Sequence, residues 1–158
     1  MTPAITALDK AQRPYQLHEY THDPATDSFG REACEKLNLD PARVFKTLVI
    51  KLESQDLAVA VLPVNQNLNL KDSARHLGAK KAQMADPLAV ERSTGYVLGG
   101  VSPIGQKKLV PTLIDQSATT FDTIFVSGGR RGLEIELRAD DLRELTNGRY
   151  ASLGVSKK

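Results

Sequence analysis

Three places in the sequence carry side chains and backbone suited to chemistry. The first is "LGGVSPIGQKKLVP" at 98–111, where Gly100 and Gly105 stand at the spacing of the outer glycines of a phosphate-binding G-x-x-x-x-G-K-[ST] loop. Gln106 occupies the lysine place and Lys107 the Ser/Thr place, and Pro103 removes one N–H from the run of donors. Such a loop also needs a helix whose N-terminus faces the phosphate, whereas "QKKLVPTLI" favours a strand. A G-G-x-S-P turn suits a different task. Glycines let backbone N–H groups approach a carbonyl or oxyanion, with Pro103 holding the shape. "SGGRRG" at 127–132 offers the same device and adds a hydroxyl and two guanidinium groups, and for both motifs a plain hairpin turn is the competing reading.

The third place is Lys46. If "VFKTLVIKL" is a strand, Lys46 shares a face with Val44, Leu48 and Ile50, so its amine either reaches water at a rim or meets a charge there. Other candidates are weaker. No G-x-S-x-G elbow is present, and Cys34 lies on the apolar face of a predicted helix as a small hydrophobe. His18 and His22 are four apart beside Glu19 and Asp23, but residues i and i+4 of a strand do not converge on a metal. The residues call for no cofactor and no metal.

These groups must be positioned by one domain. A chain of 158 residues, 41% hydrophobic and 25% charged, fits a single α+β domain over 1–158, with no apolar run approaching the roughly 18 residues of a membrane span. "MTPAITALDKAQRP" does not read as a secretory signal, so the cytoplasm is the expected location, with no membrane partner. A net charge of +2 excludes a polycationic nucleic-acid binder. The pairs Lys80-Lys81, Lys107-Lys108, Arg130-Arg131 and Lys157-Lys158 could still gather into a local basic face.

The predicted order begins with a helix in "TPAITALDKAQ", capped by Thr2, followed by a strand in "YQLHEY". A helix through Ala33, Cys34 and Leu37 stops near Asn38 to Pro41, and "VFKTLVIKLE" and "LAVAVLPV" form a hairpin about Ser54 to Asp56. Asn69 caps a helix ending at Gly78, a short strand covers 80–84, and Asp86-Pro87 opens another helix. From Gly95 the chain reads as mostly β, in "GYVLGG", "KKLVPTLID", "FDTIFVSGG" and "LEIELRA", before a last helix in "DDLRELTN". Successive strands without intervening helices predict a mixed, mostly antiparallel sheet.

The motifs "HEYTHDP", "FGREACEKL", "RVFKTLVI", "STGYVLGGVSPIGQKK" and "FVSGGRRGLEIEL", in this order, resemble the bacterial YbaK family of Cys-tRNA(Pro) deacylases, relatives of the prolyl-tRNA synthetase editing domain. The resemblance implies a mixed sheet curled into a barrel-like body with helices around it. It implies hydrolysis in trans of the ester in mischarged Cys-tRNA(Pro), with the tRNA(Pro) acceptor end and prolyl-tRNA synthetase as partners and a monomer on its own. Carried over by position, it makes Lys46 the essential lysine, matches the G-x-x-x-P loop to Gly99, Gly100, Val101, Ser102 and Pro103, and matches pocket residues to Tyr20, Phe29, Thr47, Ser127, Gly128 and Gly129. Gly100 and Val101 N–H groups would hold the carbonyl oxygen, Lys46 would orient the substrate, and Lys107 and Lys108 would reach RNA beyond. The alternatives are a related deacylase for alanyl or other small aminoacyl groups, and a non-catalytic tRNA- or synthetase-binding module.

Overall fold

The computed structural model describes residues 1–26 and 28–157. Lys158 of the last basic pair lies outside the described residues. Helix α1 (Pro3–Ala11) starts where the Thr2 hydroxyl accepts the Ile5 N–H at 3.3 Å, and it ends at Gln12 in the left-handed region. Strand β1 (Gln16–Glu19) follows, then α2 (Phe29–Leu37), which Asn38 closes with φ 54°. β2 (Phe45–Leu52) and β3 (Leu57–Pro63) form the expected hairpin, with Lys46 paired to Leu62. β4 (Gln66–Leu68) leads to α3 (Leu70–His76), whose first turn is capped by Asn69. β5 (Ala82–Met84) precedes α4 (Pro87–Thr94), capped by Asp86.

The loop that follows α4 departs from the predicted strand in "GYVLGG". Gly95 and Gly99 take φ of +82° and +88°, a region closed to strand backbone, and Gly100 N–H donates to Val97 O at 3.0 Å in a turn. Buried Tyr96 pins the loop by donating its hydroxyl to Ile104 O at 2.7 Å. Regular structure resumes with β6 (Thr112–Asp115), shorter than predicted, and a 3₁₀ turn at Gln116–Thr120. Then come β7 (Ile124–Ser127), β8 (Leu133–Leu137), α5 (Ala139–Thr146), β9 (Arg149–Ala151) and β10 (Gly154–Ser156).

The strands make a five-stranded mixed sheet in the order β5-β2-β3-β6-β9, a three-stranded antiparallel sheet β1-β8-β7, and the pair β10-β4. β6 runs parallel to both β3 and β9. The sheets do not close into a barrel, because the two larger ones meet through a single bridge, Val44 with Phe125, instead of a continuous ladder. β3 explains its unbroken apolar run. Val59 and Val61 face the main core with Leu8, Ile114 and Ile135, while Ala60 faces a second cluster with Leu113 and Leu153. Burying each large side chain of this kind contributes about 1.5–3 kcal/mol. Cys34, Val44 and Phe125 form a third cluster that seats α2 against the junction of the sheets.

Candidate active site

At that junction lies a pocket of about 300 Å³. Tyr20 follows β1, Phe29 opens α2, Lys46 and Thr47 begin β2, and Gly99 with Val101 and Ser127 come from the two glycine loops, so seven of the predicted site residues share one cavity. Lys46 is half-buried, and its amine donates to Gln66 O of β4. The Thr47 hydroxyl is buried without a hydrogen-bond partner among the described residues. A buried polar group in that state leaves a hydrogen bond unmade, which native structures rarely do.

The glycines act mainly by allowing close packing. A Cβ on Gly99 would stand 2.6 Å from Arg131 Nε and 2.9 Å from the Phe29 ring, and one on Gly100 would stand 2.8 Å from Arg130 Cα. The loop 97–103 is therefore pressed against the loop 127–132. Arg131 locks the pair by lying 4.4 Å over the Phe29 ring while donating to Leu98 O at 2.8 Å. Gly100 does not line the pocket and its N–H is committed to Val97, which corrects its expected role as an oxyanion donor. Val101 N–H has no acceptor among the described residues. Ser102, Pro103, Gly128 and Gly129 also stand behind the lining: the Ser102 hydroxyl accepts from Ile104 N–H, and Gly128 O accepts from the Thr2 hydroxyl at 2.6 Å. Lys107 and Lys108 are exposed, their N–H groups held by Thr94 O and Ser93 O.

One lining residue escaped the sequence reading. Glu134 of β8 is 7% exposed, faces the pocket, and receives no hydrogen bond on its carboxyl among the described residues. Burial pushes its pKa up to about 8, so at neutral pH it is a neutral acid able to donate a hydrogen bond. Burial, reinforced by the charge of Lys157, lowers Lys46 to about 8, which leaves it mostly protonated at pH 7. Tyr20 is raised to about 12 by burial and then by Glu134, and remains a phenol.

Beside Phe29 lies a second charged group. Burial alone would raise Glu32, but Asp23 N–H, His22 and Lys36 hold it at about 2. His22 Nδ1 lies 2.7 Å from Glu32 Oε1, with its ring 5.9 Å from that of Phe29. His18 instead meets Glu136 at 2.9 Å, so the two histidines serve different carboxylates. Burial raises the Cys34 thiol to about 11, which makes it a poor nucleophile. The pocket thus offers a cation and a neutral acid, its lining residues Val101 and Thr47 carry an uncommitted N–H and an unpartnered hydroxyl, and no activated nucleophile stands among the described residues.

The fold is that of an ester-editing domain. A solved structure described as a "putative trans-editing enzyme for prolyl tRNA synthetase" superposes with a TM-score of 0.81 over 99% of both chains, at 21% identity. Residues 23–145 match the family described as "Aminoacyl-tRNA editing domain", and the chain belongs to that family. It is 38% identical over 153 residues to the Enterococcus faecalis protein named "Putative Cys-tRNA(Pro)/Cys-tRNA(Cys) deacylase EbsC", covering 96% of this chain and 92% of that one. It is also 32% identical over 104 residues to the "Multifunctional Ser/Thr-tRNA deacylase ProXp-y" of Escherichia coli, covering 61% of this chain and 60% of that one. Among the described residues, no helix is long and apolar enough to cross a membrane.

Proposed function

We propose that this protein is a trans-editing deacylase that hydrolyses the ester of mischarged Cys-tRNA(Pro), releasing cysteine and free tRNA(Pro). The observation that carries the reading is the pairing of Lys46 with a pocket that holds no activated nucleophile among the described residues, in a chain of this family. An aminoacyl ester is already activated. Its cleavage requires a held carbonyl, a stabilised oxyanion and a protonated leaving oxygen more than a covalent protein intermediate.

In this reading the aminoacyl group enters the pocket between Tyr20 and Phe29. Lys46 orients the terminal ribose or phosphate, and Thr47 and Ser127 hold the polar edge of the substrate. Val101 N–H, in place of the committed Gly100 N–H, faces the carbonyl oxygen as negative charge develops. Glu134, neutral at pH 7, donates a hydrogen bond to the aminoacyl end. The substrate's own thiol or the neighbouring ribose hydroxyl assists, the acyl C–O bond breaks, the ribose oxygen takes a proton, and water supplies the hydroxyl of the released acid.

The modest net charge supports a division of labour in which prolyl-tRNA synthetase supplies recognition of the tRNA body. The named specificities of the relatives differ, so the test compares deacylation of tRNA(Pro) charged with cysteine, alanine or serine by the purified protein. The expected result is fastest release of cysteine. Preferential release of alanine or serine would move the substrate assignment, and release of none would remove the deacylase reading.

A further inference from the structure

A larger groove of about 760 Å³ opens from the pocket and shares Gly30, Lys46 and Val64 with it. One face of α2, carrying Arg31, Cys34 and Glu35, forms a wall, and Lys157 after β10 stands in the opposite one. Leu39 and Pro41 give the groove an apolar ledge, and Asn65 gives it an amide. Its charged groups are Arg31, Lys46 and Lys157 against Glu35, and none of the four makes an ion pair among the described residues.

Lys46 and Lys157 are held near each other by backbone. Ser156 pairs with Gln66 across the β10-β4 ladder, and the Gln66 carbonyl accepts from Lys46 Nζ, so the residue after Ser156 is brought to the lysine shared by both cavities. The positive charge of Lys157 disfavours the protonated form of Lys46. Such repulsion is relieved when an anion binds between them. The anion must also be continuous with the ester in the pocket. When the acyl group fills the inner cavity, the esterified ribose stands at Lys46, and the chain attached to that ribose leaves through the groove.

We propose that this groove is a second subsite, in which Arg31 and Lys157 contact the phosphodiesters of the single-stranded RNA preceding the esterified ribose, and its apolar ledge carries a base. The assignment rests on the deacylase reading and extends it to Arg31 and Lys157, which line the groove beside Lys46 and do not line the ester pocket.

The test uses the Arg31→Ala/Lys157→Ala double variant at pH 7, where Lys46 is protonated with or without its neighbour. Two substrates are compared: cysteinyl-tRNA(Pro), and 3′-O-cysteinyl adenosine, which has the ester and no phosphodiester. The expected result is a KM for the tRNA raised about tenfold with kcat retained, and unchanged hydrolysis of the nucleoside ester. The log-log salt dependence of kcat/KM should fall by about 1.4, the value for two single-strand phosphate contacts. An unchanged KM for the tRNA overturns the subsite, as does an equal loss on both substrates or a loss seen only when the synthetase is added. If the wild-type protein cleaves neither ester, the deacylase reading fails separately. Binding of a fluorescent single-stranded RNA ending in CCA then decides the groove: weaker binding by the double variant upholds it, and equal binding overturns it.

Discussion

Glu134 gives the most quantitative consequence of the pocket's architecture. Its carboxyl is 7% exposed, and burial raises its pKa from 4.5 to about 8. Between those two values the folded chain keeps a proton that the unfolded chain gives up, so stability falls as pH rises through the window. At pH 7 the distance from 4.5 is 2.5 units, which at about 1.36 kcal/mol each is about 3 kcal/mol. At pH 5 the same reasoning gives less than about 1 kcal/mol. Glu134→Gln keeps the shape and the donor of the neutral acid and removes the ionisation. For a chain of this length about 2–4 °C of Tm accompanies each kcal/mol, so the variant should melt roughly 6–12 °C higher than wild type at pH 7 and within roughly 3 °C of it at pH 5. Paired thermal melts from pH 5 to pH 8 provide the assay. A Tm difference that does not change with pH would refute the assignment of a buried neutral acid.

Three further outcomes follow from the same geometry. Burial and Lys157 place Lys46 at about 8, so enzymatic kcat/KM, corrected for spontaneous ester hydrolysis, should be level from pH 6 to 7.5 and decline above pH 8 as the amine loses its proton. A rate that keeps climbing above pH 8 after correction would contradict this. Gly100→Ala places a Cβ 2.8 Å from Arg130 Cα, and overpacking of this kind costs about 1–3 kcal/mol, to be read as a lowered Tm together with reduced deacylation. Cys34→Ala should leave kcat within about twofold of wild type, because the thiol is buried and raised to about 11; a loss of roughly 100-fold would restore it as a nucleophile.

What the sequence disclosed was local. Thr2, Asn69 and Asp86 precede apolar periodic runs and do cap α1, α3 and α4 through their side chains, because capping is decided within four residues. Lys46 stood out as a lysine on an apolar strand face, and it lies at a cavity wall for the same reason. Glu134 was hidden by the alternation of "LEIEL", which reads as a strand with one wet face. At Glu134 that face is covered by the pocket while Glu136 meets His18 and Arg43, something only tertiary packing decides. The apolar residues after Gly95 look strand-like in sequence, whereas Gly99 is committed to a positive φ and Gly100 to contact with Arg130, 30 positions away. The groove joins α2 to Lys157 across more than 100 residues, a pairing that no local pattern encodes.

The central claim is that Lys46, in a pocket with no activated nucleophile among the described residues, serves ester cleavage, and it is tested most directly by single-turnover deacylation of Cys-tRNA(Pro) with wild-type protein and Lys46→Ala. Removing one preorganised charged group from a reaction of this type lowers the rate by about 10²–10³. The account predicts a loss of that size with an unchanged circular dichroism spectrum and a cooperative melting transition. Turnover by a folded Lys46→Ala protein within about twofold of wild type would contradict it.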